Sequence, residues 1–164
     1  VKTFGSERGL VEEILNFEQQ NLENIFSDFN FSDTNAIDGL LIVSKEISNK
    51  FVNILPSINF DLRSVFPEVR QKFVDKWVNF VSAKMRANFE QGIQQGMYRP
   101  DLSAELVSRI YISRLIDLHN PDFFPNESIS FSMLFEVMFD TFIRGICTDD
   151  GKRYYEKKMK GIKF

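Results

Sequence analysis

The chain has 164 residues, 43% of them apolar and 26% charged, which is the length and composition of one globular domain and excludes a disordered polypeptide. A net charge of −3, with four Lys/Arg against nine Asp/Glu over residues 1–55, argues against a broad nucleic-acid face. A single cysteine, Cys147, and a single histidine, His119, exclude a disulfide framework, a multi-cysteine zinc site and most histidine-based catalysis.

Ser6 is a good N-cap for a first helix, on which Leu10, Val11, Ile14, Leu15, Phe17, Leu22, Ile25, Phe26 and Phe29 form one broad apolar face. Asp33 or Thr34 can cap a second helix with Ile37, Leu40, Leu41, Ile47, Phe51, Val52 and Leu55 along its stripe, ending at Pro56. Residues 57–66 read as a turn-like connection. Pro67 fits the first position of a long helix over residues 67–95, because its missing N–H is an orphan there in any case. Phe73, Trp77 and Phe80 mark one flank of that helix, and Val74, Val78, Val81, Met85 and Phe89 the next. Its apolar arc exceeds the ~100° stripe of a simple surface helix, so it reads as the central mast of the domain. Gly96 suits the left-handed residue that closes it.

Leu102, Ser103 and Val107 have the spacing of an N-cap with its hydrophobic staple, opening a helix over 103–118 that Asn120-Pro121 breaks. Leu106, Val107, Ile110, Tyr111, Ile112, Leu115, Ile116 and Leu118 leave this helix apolar on nearly every side. A helix over 128–147 behaves alike: Phe131, Leu134, Phe135, Met138, Phe142 and Ile146 share one face, while Ile129, Met133, Val137 and Ile143 lie on others. Two adjacent helices that are apolar all round need cover on two sides, whereas a small domain offers one core. The expected solution is a homodimer through a four-helix bundle, two helices from each subunit. Its interface residues are Leu106, Ile110, Leu115, Phe131, Phe135, Met138 and Phe142. The last fourteen residues hold six Lys/Arg against one Asp/Glu, a charge that suits the C-terminal end of a helix dipole. No strand-like alternation, internal repeat or low-complexity linker interrupts the pattern, so the fold class is all-α. We expect a multi-helix bundle around a long central helix, forming a single domain over 1–164.

Three segments carry a family resemblance. Thr3-Phe4-Gly5-Ser6-Glu7-Arg8-Gly9-Leu10 resembles the Tyr-Phe-x-x-Lys-x-x-Leu segment that joins the DNA-reading helix-turn-helix to the effector domain in TetR-type regulators, with Glu7 in place of the lysine. Asn88-Phe89-Glu90-Gln91-Gly92-Ile93-Gln94-Gln95-Gly96-Met97-Tyr98-Arg99-Pro100-Asp101-Leu102 resembles the Gly-x-x-x-Gly-x-x-Arg-x-Asp close of that family's long central helix. Phe142-Ile143-Arg144-Gly145-Ile146-Cys147-Thr148, followed by Gly151, is similar to the end of its second dimer helix. The resemblance implies the C-terminal ligand-binding and dimerisation domain of a TetR-like transcriptional regulator, with residues 1–10 as the remnant of the junction. It implies a cytoplasmic homodimer, a likeness to repressors, and DNA contact only through a missing N-terminal helix-turn-helix.

The resemblance also implies an apolar small-molecule effector held between helices. The candidate ligand-binding residues are Phe51, Phe66, Phe73, Trp77, Phe80, Val81, Met85 and Tyr111, with Asn88 and Arg114 as polar groups that can orient a ligand. The alternative for each is plain core. Eighteen phenylalanines must be buried somewhere, in a core, an interface or a ligand cavity. His119 reads as a helix C-terminal group, Arg99 and Asp101 as a structural pair, and Cys147 as a small apolar residue. No phosphate loop, nucleophile elbow, metal signature or membrane-spanning run is legible, so no enzyme activity, cofactor, metal or membrane partner is expected. The alternative function is a helical homodimer without a DNA reader, serving as a binding or scaffold protein.

Overall fold

The computed structural model describes residues 7–27, 33–51, 66–118, 120, 122–125 and 128–160, with the backbone alone at 48–51 and 116. The junction residues before Glu7, the side chain of Phe51, the predicted end of the second helix at Pro56, the turn-like connection up to Val65, and His119 lie outside the described residues.

Among the described residues the chain is all-α: α1 Glu7–Ser27, α2 Ala36–Phe51, α3 Pro67–Gln94, α4 Ala104–Asp117, α5 Phe131–Ile146 and α6 Asp149–Met159. The long α3 is the mast, about 42 Å at ~1.5 Å per residue. Against it pack α1, α2 and α4, while α1 also meets α2 and α4 meets α5. Its buried side chains, Val69, Phe73, Trp77, Val81, Met85 and Phe89, recur every four residues. A spacing of four on a helix of ~3.6 residues per turn drifts by ~40° each step, so this row winds through about 200° along α3. The winding lets one helix serve different neighbours at its two ends.

Several of the described phenylalanines pack ring to ring. Phe142 lies between Phe89 (5.9 Å) and Tyr111 (4.8 Å), Phe89 meets Tyr98 edge-on, and Phe135 stacks on Phe139, which reaches Tyr155. Such pairs add to the area they bury. The first helix corrects the expected face: Leu15, Leu22, Ile25 and Phe26 are buried, but Ile14 and Phe17 are exposed. Its neighbours cover a narrower stripe than the apolar residues occupy.

The start of α2 also differs from expectation. Asn35, not Asp33 or Thr34, caps it, its Oδ1 accepting from the Ile37 N–H at 2.9 Å. The Ala36 N–H donates instead to Gln95 Oε1 at the end of α3 (2.8 Å), and Gln91 and Gln95 both donate to the Thr34 carbonyl. Asn88 donates to the Ala36 carbonyl and accepts from the Tyr98 hydroxyl. Amides one to two turns apart on α3 thus satisfy a helix terminus that is packed against them. Asn88, a candidate ligand-orienting group, has its hydrogen bonds committed to this clamp, and Arg114 is exposed on α4.

The second and third resemblance segments, some fifty residues apart, meet in one joint. Gly96 closes α3 at φ +76°, the left-handed conformation anticipated for it. The turn that follows then docks on the junction between α5 and α6. Thr148 N–H donates to the Met97 carbonyl (3.0 Å), Thr148 Oγ1 to the Gly96 carbonyl (2.6 Å), and Arg99 N–H to the Ile146 carbonyl (2.8 Å). Arg99 pairs with Asp101 and also reaches the Gly145 carbonyl, so the pair is structural as read. Thr148 simultaneously caps α6 through the Gly151 N–H. The basic tail expected to end or follow a C-terminal helix lies partly within α6, whose last turn carries Lys157 and Lys158.

Candidate functional site

Of the ligand-binding candidates, Phe73, Trp77, Val81, Met85 and Tyr111 are buried in the common core, and Phe66 and Phe80 are half-buried against it. Phe80 meets Phe26 edge-on at 5.4 Å, and Tyr111 shares a 2.6 Å hydrogen bond with Ser44 inside the protein. Burial holds the Tyr111 hydroxyl above the usual phenol range. The indole Nε1 of Trp77 is buried and has no hydrogen-bond partner.

A cleft of about 180 Å³ opens between α1 and α3. It is lined by Glu12, Leu15, Asn16 and Gln19 from α1 and by Val69, Lys72, Phe73 and Lys76 from α3. Of the candidates named from sequence only Phe73 lines it; Trp77, one turn further along α3, does not. Each helix contributes positions i, i+3, i+4 and i+7, the stripe that two packed helices normally close with apolar side chains. Here five of the eight lining residues are polar. Leu15, Gln19, Val69 and Phe73 are buried and form the floor; Glu12, Asn16, Lys72 and Lys76 are exposed and form the rim. Gln19 is only 5% exposed and its Oε1 accepts no hydrogen bond, while its Nε2 donates to Glu23 at 3.4 Å. A glutamine interrupting an apolar stripe between Leu15 and Leu22 is the sequence signal that marks this position.

The interface candidates divide. Leu106 and Ile110 are exposed on α4, at 61% and 48%. Phe131 is half-buried. Leu115, Phe135, Met138 and Phe142 are buried within the chain's own core. Their burial has a local cause: Phe142 packs against Phe89 and Tyr111, and Phe135 stacks on Phe139. The outward apolar residues of α5 are instead Met133 (64% exposed) and Val137 (67%), one turn apart. Cys147 is buried, and burial lifts its thiol to about 11. Among the described residues no group of three or more His, Cys, Asp or Glu side chains is placed to hold a metal ion, and no helix is long and apolar enough to cross a membrane.

No family model matches the chain, and neither a curated protein nor a solved structure matches it.

Proposed function

We propose that this chain is the effector-sensing and dimerisation domain of a cytoplasmic TetR-like transcriptional regulator, acting as a repressor, with DNA contact made through an N-terminal helix-turn-helix outside these residues. The observation that carries the reading is the pair of neighbouring helices α4 and α5, each with an exposed apolar pair one turn apart, Leu106 with Ile110 and Met133 with Val137. A monomer leaves such side chains in water without gain, whereas a two-fold four-helix interface buries them twice over. The all-α bundle around one long helix, and the joining of the two glycine-containing segments in space, support the same reading. Effector binding beside α1 and α3 shifts α1, the helix that leads from the junction, and so changes the spacing of two DNA readers. That is coupling between two sites through alternative helix arrangements.

The test is oligomeric state. The parent protein sediments as a dimer, and Leu106→Glu with Met133→Glu gives a folded monomer with an unchanged helical circular dichroism spectrum. A monomeric parent, or a double variant that remains dimeric, overturns the reading.

A further inference from the structure

Helix α6 touches its neighbours at separate points and packs along none of them. Tyr155 is its one large buried side chain; Gly151 is buried beside it, and the remaining positions are half-buried or exposed. That is little apolar area to hold a helix of 11 residues. We infer that α6 is a strap: it undocks as a unit while the rest of the bundle stays folded, and its undocking unties α2 from α5. The inference stands apart from the regulator reading, because it concerns only how the helices of one chain are held together.

Adjacent residues on a helix point about 100° apart. Tyr154 and Tyr155 use that angle to reach two different helices. The Tyr154 hydroxyl donates to Asp38 of α2, and Lys158, one turn further on, lies 3.8 Å from the same carboxylate. The Tyr155 hydroxyl donates to Asp140 of α5 at 2.9 Å, while Arg144 of α5 donates both to Asp140 and to Glu156. Helices α2 and α5 are not packed along each other, so α6 carries the tie between them. The Arg144–Glu156 and Lys158–Asp38 pairs are largely exposed, and such pairs add little each. Elements held by few buried apolar contacts and many exposed polar ones open at a free energy below that of global unfolding. The attachments lie at both ends of the helix, at Thr148 and Gly151 and again at Tyr155 and Lys158, so fraying of the last turn alone does not release it.

Cys147 sits at the base of the strap and reports its position. It is buried, and its thiol lies within electrostatic reach of Lys152 and Tyr155 on α6 and of Tyr98 in the turn after α3. A docked α6 covers the thiol and an undocked one uncovers it.

Native-state labelling of Cys147 with a thiol reagent at pH 8, at concentrations where the rate follows the open population, tests the inference across a urea series. The rate is expected to rise only shallowly with urea at first, because a local opening exposes little surface, and to join the steep dependence of global unfolding later. Tyr154→Phe removes the hydrogen bond to Asp38 and raises the rate without urea about tenfold. Val69→Ala is the control. It hollows the core at the far end of α3, about 40 Å from Gly96 at ~1.5 Å per residue, so it lowers the urea midpoint yet leaves labelling without urea unchanged. Hydrogen exchange read by mass spectrometry gives the boundaries: residues 149–159 lose protection together, well before α3. A labelling rate that follows global unfolding at every urea concentration overturns the inference. So does an unchanged rate in Tyr154→Phe, equal acceleration by Val69→Ala, or early exchange confined to the last turn of α6.

Discussion

Gly151→Ala separates two physical expectations of opposite sign. Gly151 lies inside the first turn of α6, where alanine is favoured over glycine by about 1 kcal/mol on helix propensity alone. The tertiary surroundings argue the other way. A Cβ built there sits 2.0 Å from the Met97 carbonyl oxygen and 3.1 Å from Cys147 Cβ. The oxygen belongs to backbone that cannot rotate away, so α6 must retreat by at least about 1 Å from the turn after α3. That movement disrupts the Thr148 N–H to Met97, Thr148 Oγ1 to Gly96 and Arg99 N–H to Ile146 hydrogen bonds. With about 1 kcal/mol net for each bond, set against the propensity gain, the variant loses about 2 kcal/mol or somewhat more. For a chain of this size that lowers the melting temperature by roughly 4–8 °C. Gly145→Ala is the internal control. It sits late in α5 with nothing within 4 Å of its added Cβ, so propensity acts alone and stability rises by up to about 1 kcal/mol. Thermal unfolding followed by circular dichroism reads both. If Gly151→Ala melts at or above the parent, the docking of α6 on the α3–α4 turn is not as tight as described and the reasoning fails.

Two further predictions test buried groups. Ser44→Ala removes the partner of a fully buried Tyr111 hydroxyl and destabilises by about 1–3 kcal/mol, whereas Ser44→Ala with Tyr111→Phe restores most of the loss; urea midpoints compare the two. In the native protein Cys147 reacts with a thiol reagent at pH 8 only as fast as the chain opens, because burial both covers it and lifts its pKa from 9.0 to about 11. Burial, aided by Asp38, likewise raises Tyr154 from 10.0 to about 12. Both groups have folded pKa values above their ordinary ones, so their contribution is intact below pH ~9 and is lost as pH climbs through 11 and 12. Alkaline titration of stability that is flat across this window refutes the assignment.

The resemblance segments show how far local pattern reaches. Helix periods, Pro67 at the first position of α3, Ser103 opening α4 and the positive φ of Gly96 all follow from local chemistry, which acts within a few residues and is written in order along the chain. Direction is a different matter. Periodicity shows that α5 is apolar on several faces but not which face meets the protomer's own core. The packing around Phe89 and Tyr111 claims Phe142, and the stack on Phe139 claims Phe135, leaving Met133 and Val137 outside. Substituting Phe135 and Phe142 with glutamate would therefore place two charges in the core of the chain itself. Asn88 is similar: a polar residue on an apolar flank is compatible with ligand contact or with structure, and only the approach of Ala36 and Tyr98 decides for structure.

The cleft was legible least of all. Gln19 and the Lys72/Lys76 pair are unremarkable until α1 and α3 lie face to face, because a gap is a property of two surfaces and neither helix carries it alone. The sequence by itself determined that these residues form helices, where α3 begins and ends, and that the chain has more apolar surface than one layer of contacts requires. Tertiary structure alone decided which apolar faces close on each other, which polar groups satisfy α2, and where packing stops short. Helix formation depends on neighbours three or four residues away, whereas cavities and exposed faces depend on side chains tens of residues apart meeting in three dimensions.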